Sequence, residues 1–268
     1  MAIKIGTLYV DNLTKEAVLS RVNKAIDNQK VVQIVTPYSE FVVEAENNVQ
    51  FRDAINSSEL RLPDGMGVIW AGAYLAHKWD NIIQSFWGVL NLDSRLYSVF
   101  PEKISGSDLI YDVLDLAHTK KLRVYLLGGE GETPEKVQEY IKSHYPRIQL
   151  SGSYAGKVPE YDADIYAEVK DSHSDIVLVA LSYPKQEITA SHMKQYFKKN
   201  DHKGVIMCIG GTLDFLAGVQ KRAPKWMRRM GLEWLFRLIQ QPSRIHRIYK
   251  ATISFVRLMY RYRHHIDK

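Results

Sequence analysis

Four short runs rich in aliphatic and β-branched residues, VVQIVT (31–36), LRVYLLGG (122–129), DIVLVALS (175–182) and GVIMCIGG (204–211), are separated by longer stretches with helical spacing. Runs apolar on both faces suit strands covered on both sides, and alternation with helices provides the crossovers that parallel pairing needs. The expected fold is therefore α/β, with a Rossmann-like, mostly parallel sheet and helices on both faces. Helices are expected over 14–28, 39–57, 66–77, 107–120, 134–145, 162–172 and 186–199, several opened by cap residues such as Ser107 and Thr133. The single cysteine, Cys208, falls inside the fourth run and reads as a buried strand residue, so no disulfide framework is available.

Open parallel sheets place ligands beyond the carboxyl ends of their strands. Those ends read Thr36-Pro37-Tyr38, Gly128-Gly129-Glu130-Gly131, Ser182-Tyr183-Pro184-Lys185-Gln186 and Gly210-Gly211-Thr212. Gly128 and Gly129 open a turn in which backbone amides can crowd an anion at a helix start. The dinucleotide spacing is incomplete because position 133 is Thr, so a nucleoside diphosphate is expected rather than NAD. Asp64, between Pro63 and Gly65 and just ahead of a helix, has two readings: an N-terminal cap or a general base. Asp162 and Asp164 follow Pro159 at the head of a helix, where acids favour the dipole, and read as capping residues rather than an Asp-x-Asp metal site. The nine histidines show no paired ligand spacing and no Gly-x-Ser-x-Gly elbow occurs, so neither a metal site nor a hydrolase nucleophile is expected.

Charge is distributed unevenly. From Lys221 onward thirteen Lys and Arg face two acids, a surplus of eleven; against a net charge of +6, the first 220 residues carry −5. Such asymmetry points to a polyanionic partner: nucleic acid, a phosphorylated substrate or an anionic membrane. Between Arg244 and His265 a helical wheel gathers Ile245, Ile248, Tyr249, Thr252, Phe255, Val256, Met259 and Tyr262 on one side, opposite Arg247, Lys250, Arg257 and Arg261. That is the pattern of an interfacial membrane helix; packing on its own domain or on another subunit is the alternative. A nucleic-acid-binding protein or a non-catalytic membrane scaffold using the basic tail is the alternative function; nucleic acid is not the expected partner, because it leaves the pocket-forming strand ends without a purpose. An apolar stripe away from lipid favours homo-oligomers. The N-terminus has no secretory apolar segment and no window holds the roughly 18 apolar residues of a spanning helix, so a cytoplasmic, peripheral protein is expected. The expected division is an α/β domain over 1–218 and a basic helical appendage over 219–268.

Read in order, TPYSEFVV, LPDGMGVIWA, ISGSDL, LLGG, YPKQE and IGGTLDFLAGVQKRAPKWMRRMGLEWLFRLIQQPSR resemble the WecG/TagA/CpsF family of bacterial glycosyltransferases over about 6–247. The resemblance implies an inverting enzyme without cofactor or metal. It would move N-acetylmannosamine or another hexose from a UDP-sugar to an undecaprenyl-diphosphate-linked saccharide, for teichoic acid, capsule or exopolysaccharide, on the inner face of the cell membrane. It implies Asp64 as base and Thr36 as a second catalytic residue. Ser105, Gly106 and Asp108 of ISGSDL, Gln186 and Asp214 would contact substrate, and Arg237, Arg244 and Arg247 would assist at the diphosphate. Two positions depart from the family pattern: Tyr38, a substrate-binding position toward the donor sugar, replaces a common Asn, and Lys103 replaces an arginine, keeping the charge but losing the guanidinium fork. The segment 78–102, with Trp79, Phe86, Trp87, Tyr97 and Phe100, is longer than the family's connection and suits a lid, an acceptor groove or a membrane contact.

Overall fold

A computed structural model describes residues 1–156, 158–224, 227–228, 232–242 and 245–265, apart from the side chains of Arg237 and His265. The chain opens with an antiparallel hairpin, β1 (Ala2–Ile5) and β2 (Leu8–Asp11), then α1 (Lys15–Asp27) and β3 (Val31–Val35). Next come α2 (Ser39–Asn47), α3 (Val49–Asn56), β4 (Leu60–Arg61), α4 (Gly65–Leu75), α5 (Ile82–Leu90), a short 3-10 turn and α6 (Gly106–Lys120). The second half runs β5 (Arg123–Gly128), α7 (Thr133–His144), β6 (Gln149–Tyr154), α8 (Ala163–Asp171), β7 (Ile176–Ala180), α9 (Lys185–Lys199) and β8 (Gly204–Cys208). After α10 (Thr212–Leu216), the described part of the tail is helical: α11 (Glu233–Gln240), α12 (Ile245–Tyr249), a π-turn over Lys250–Ser254 and α13 (Phe255–His265).

The main sheet has six strands in the order β4-β3-β8-β7-β5-β6, all parallel. Period-two side-chain alternation divides its core. Val35, Tyr125, Leu127, Val177, Val179, Ile206 and Cys208 enter one apolar layer, whereas Ile34, Val124, Leu126, Ile176, Leu178, Val205 and Met207 enter the other. Each of the four expected runs forms a strand. The sequence pattern misses β4, which is only two residues long, and the edge strand β6, whose QLSGSY is too polar to stand out. The single helix expected over 39–57 is two helices: Asn48 leaves helical geometry at φ −110°, ψ 93°, and its side chain caps α3 by accepting from Phe51 N. Asp162 does cap α8, its Oδ1 accepting from the Asp164 and Ile165 amides, both at 3.1 Å.

The tail corrects one expectation. Phe255 and Met259, assigned by the helical wheel to a membrane-facing side, are buried in the same core layer as α2 and α4, with Phe255 6.1 Å from Trp70 edge to face. Close approach is possible because α4 carries Gly67, whose Cβ would stand 3.5 Å from Phe255 and only 2.0 Å from Ser39 Oγ. Tyr262 reaches back to Glu46 at 3.1 Å. Among the described residues from 245 onward, Ile245, Tyr249, Ile253 and Tyr260 are left exposed. Ile253 and Tyr260 adjoin α5, where Phe86 stacks on Trp70 (5.4 Å, 7°) and Ile83, Trp87 and Leu90 are exposed. Ile82 and Phe86 face Thr252, Ile253, Val256, Arg257 and Tyr260 across an apolar trough of about 570 Å³.

Candidate active site

The loops at the carboxyl ends of β3 and β4 are tied to each other and to the start of α6. Leu62 N donates to Val35 O (2.9 Å), Asp64 N to Pro37 O (3.0 Å) and Ile104 N to Pro63 O (2.9 Å). A Cβ on Gly106 would come within 3.2 Å of Thr36 Oγ1, so a side chain there would crowd Thr36, and glycine lets α6 begin this close to it. Thr36, Asp64, Ser105 and Gly106 are thereby brought together. Asp64 occupies the N-cap position of α4 with extended φ/ψ of −100° and 132°, yet its side chain makes no capping hydrogen bond. Of its two readings, the cap loses its main support.

Across the sheet, Gly128 and Gly129 adopt φ of +100° and +93°. A Cβ on Gly128 would lie 2.4 Å from Ala180 O, so the β5 turn requires glycine on both conformational and steric grounds. Beside it Thr133 donates to Asp214 Oδ1 (3.2 Å), and Gln220 Nε2 donates to Asp214 Oδ2 at 3.4 Å. Asp214 is thus held at the β5 and β8 ends, half-buried.

Gln186 is placed differently from a ligand-facing side chain. It is buried, its Oε1 accepting from Gly210 N (2.7 Å) and Leu181 N (3.2 Å) and its Nε2 donating to Glu187 Oε1 (2.7 Å). It pins the ends of β7 and β8 together. Glu187 beneath it is buried with Oε2 unpartnered, and loss of solvation pushes its carboxyl up to about 7. Asp108, at the first turn of α6, is taken up by Arg222 and Arg228, with Oδ1 2.7 Å and 3.1 Å from their Nη1 atoms. Burial works against its charge, but hydrogen bonding and attraction from Arg222, then Arg228 and Lys103, hold it below the usual carboxylate range.

Arg247 also has a protein partner. Its Nε lies 3.2 and 3.1 Å from the two oxygens of buried Glu40, and its Nη2 donates to Glu40 Oε2 (3.1 Å) and to Tyr38 Oη (2.8 Å). The guanidinium lies over the Tyr183 ring at 4.9 Å, and the hydroxyls of Tyr38 and Tyr183 both donate to Glu40. Burial, then the Glu40 charge, pushes the Tyr38 hydroxyl well above its ordinary range. Tyr38 therefore binds the arginine rather than opening the pocket as a shorter side chain would. Nη1 makes none of these bonds. Arg237 lies on α11, with its side chain outside the described part, and Arg244 lies outside the described residues.

The sequence pattern did not single out Glu40, Arg222 or Arg228, and it placed Tyr183 only within a strand-end stretch. Glu40 carried a signal, since SEFVV sets one acid against three apolar residues at the start of a helix. The pairing of tail arginines with acids more than a hundred residues earlier carries none. A hollow of about 220 Å³ lies at the opposite edge, among Arg123, Asp175 and Gly204 at the strand starts, away from these convergent loops.

Comparison with known proteins places this geometry in context. A model of the glycosyl transferase WecG/TagA/CpsF family matches residues 3–86 and 87–268. An N-acetylglucosaminyldiphosphoundecaprenol N-acetyl-beta-D-mannosaminyltransferase of Bacillus subtilis (strain 168) is 30% identical over 242 residues, spanning 90% of this chain and 81% of that protein. The protein of the same name from Staphylococcus aureus (strain MW2) is 26% identical over 259 residues, spanning 95% of this chain and 92% of its own.

Proposed function

Because the chain belongs to the glycosyl transferase WecG/TagA/CpsF family, we propose that it transfers N-acetylmannosamine from a UDP-sugar to a GlcNAc-diphosphate-linked polyprenol, inverting the anomeric carbon without a metal. The observation that carries this reading is Asp64. Its backbone is fixed by Pro37, its side chain leaves α4 uncapped, and Thr36 and Gly106 lie alongside. A carboxylate there suits removal of the acceptor hydroxyl proton as that oxygen attacks the anomeric carbon while UDP leaves on the other face.

The spacing of the strands supports the donor's placement. From the Gly128–Gly129 turn to Thr36 is three strand steps, β5 to β7 to β8 to β3, roughly 14 Å at about 4.8 Å per step. An extended nucleotide sugar can bridge that distance, with the nucleoside near Asp214 and the sugar at Thr36 and Asp64. Gln186 acts on the donor through the Gly210 and Leu181 amides it fixes, and Ser105 and Asp108 shape the other wall. As the diphosphate gains charge, backbone amides and the tail arginines Arg237, Arg244 and Arg247, the last through Nη1, stabilise it. The relatives' names supply the acceptor class.

The test offers a panel of UDP-hexoses and UDP-N-acetylhexosamines with a short-chain GlcNAc-diphosphoprenol, followed by NMR of the product. Transfer of N-acetylmannosamine with a β linkage is expected. Product with the donor's α configuration, or no transfer from any UDP-sugar, would reject the proposal.

Acceptor lipid implies contact with the cytoplasmic face of a membrane, and among the described residues no helix is long and apolar enough to cross one. The exposed residues of α5 together with Ile253 and Tyr260 suit that contact, with Lys250, Arg257 and Arg261 nearby for anionic headgroups. In flotation with phosphatidylglycerol vesicles, Trp87→Asp with Ile253→Asp should leave the protein in the dense fraction. Undiminished flotation of that variant would move the contact elsewhere.

A further inference from the structure

Lys103, Arg222 and Arg228 converge on the opening turn of α6. Arg222 donates from Nη1 to Ser107 O (3.1 Å) and Asp108 Oδ1 (2.7 Å), and from Nη2 to Ser107 Oγ (2.8 Å). Arg228 Nη1 reaches the same Asp108 oxygen at 3.1 Å, and Lys103 Nζ donates to the Arg228 carbonyl at 3.3 Å. Among the described residues, three cations therefore share one carboxylate, a surplus of two positive charges.

That surplus is not on open surface. The Arg222 and Arg228 side chains are 17% and 19% exposed, and the Nε of each is buried without a hydrogen-bond partner. Partly buried cations in excess of their counterions are unfavourable until an anion arrives. The cluster is also adjacent to the transfer centre: Gly106 abuts Thr36, and Ile104 is bonded to Pro63, the residue before Asp64.

We propose that Lys103, Arg222 and Arg228 form a diphosphate seat, separate from the Arg247 corner and resting on the reading that Asp64 marks the transfer centre. The charge identifies the ligand class. A diphosphate esterified at both ends carries one negative charge on each phosphate, equal and opposite to the surplus of two. Guanidinium forks match phosphate oxygens in geometry as well as charge. Asp108 has the role of holding both arginines at α6, with the ligand completing their coordination. The reaction as proposed involves two such groups, the donor's and the acceptor's, and the seat serves one of them.

The full chain and its Arg222→Gln, Arg228→Gln and Lys103→Met variants would be titrated calorimetrically with inorganic diphosphate, UDP and uridine. The acceptor KM would be measured with GlcNAc-diphosphoprenol. Each substitution should weaken inorganic diphosphate binding about tenfold or more, as expected for loss of a charge-assisted contact, with uridine binding unchanged. An equal loss toward UDP with an unchanged acceptor KM assigns the seat to the donor; a raised acceptor KM with unchanged UDP binding assigns it to the acceptor. Wild-type affinity for diphosphate and UDP together with wild-type acceptor KM in all three variants overturns the proposal. Should Arg222→Gln lower the thermal midpoint, Lys103→Met reads the charge alone, because that ammonium holds only a backbone carbonyl among the described contacts. If no donor supports transfer, the inorganic diphosphate titration still decides the seat by itself.

Discussion

Glu40 on α2 and Asp108 on α6 both hold arginines from the basic tail, but the balance of charge at the two corners differs. Glu40 is buried, and its two oxygens are taken by one arginine and two tyrosine hydroxyls. One anion meets one cation, and the acceptors are filled from within the chain. The Asp108 side chain is 48% exposed and is shared by two arginines with a lysine alongside. The first corner fastens the tail to the sheet domain. The second leaves cationic charge for a ligand. The same type of ion pair thus gives anchorage or recognition according to whether the protein supplies all the counter-charge.

Glu187 takes this comparison to its limit, because its largest perturbation is burial and no cation contributes to it. With its folded-state carboxyl raised to about 7 and an unfolded value near 4.5, the native state holds the proton over a range where the unfolded state has lost it. Its contribution to stability is therefore full below about pH 4.5 and is lost as pH rises toward 7, a change of up to about 3 kcal/mol. Urea denaturation between pH 4.5 and 7.5 checks this, and Glu187→Gln should flatten that part of the profile. A slope unchanged by the substitution would mean that Glu187 is not the group responsible.

A smaller effect is expected at the anchoring corner. Glu40→Ala leaves Arg247 and two tyrosine hydroxyls without their acceptor; because the Arg247 side chain is 40% exposed and can be rehydrated, the cost is about 2 kcal/mol. Denaturant midpoints measure it directly. If the two corners differ as described, this variant loses more stability than Lys103→Met and less affinity for inorganic diphosphate, because Arg247 meets the diphosphate through Nη1 alone. Equal losses of diphosphate affinity in both would erase the distinction.

The sheet was legible because its central strands must be apolar on both faces, which leaves a signal in VVQIV, RVYLLG, IVLVA and GVIMC. Edge strands β4 and β6 escaped because one is two residues long and the other is half polar. Thr36, Asp64, Ser105 and Gly106 converge as loops at strand ends should, since parallel topology brings those ends to one edge. The tail was only half legible. Periodicity marked Phe255 and Met259 as apolar, but periodicity cannot say whether an apolar stripe meets lipid or the chain's own α4. Arg222 and Arg247 find acids 114 and 207 residues away, pairings set by tertiary packing and invisible to local pattern.

In the proposed reaction the two corners flank a transfer centre whose base is Asp64. Single-turnover transfer from UDP-N-acetylmannosamine to GlcNAc-diphosphoprenol, comparing wild type with Asp64→Asn while measuring UDP affinity on the same preparations, tests it most directly. A rate lower by about 100-fold or more, the scale of a lost general base, is expected, with UDP affinity unchanged. Near-wild-type turnover by Asp64→Asn would contradict it.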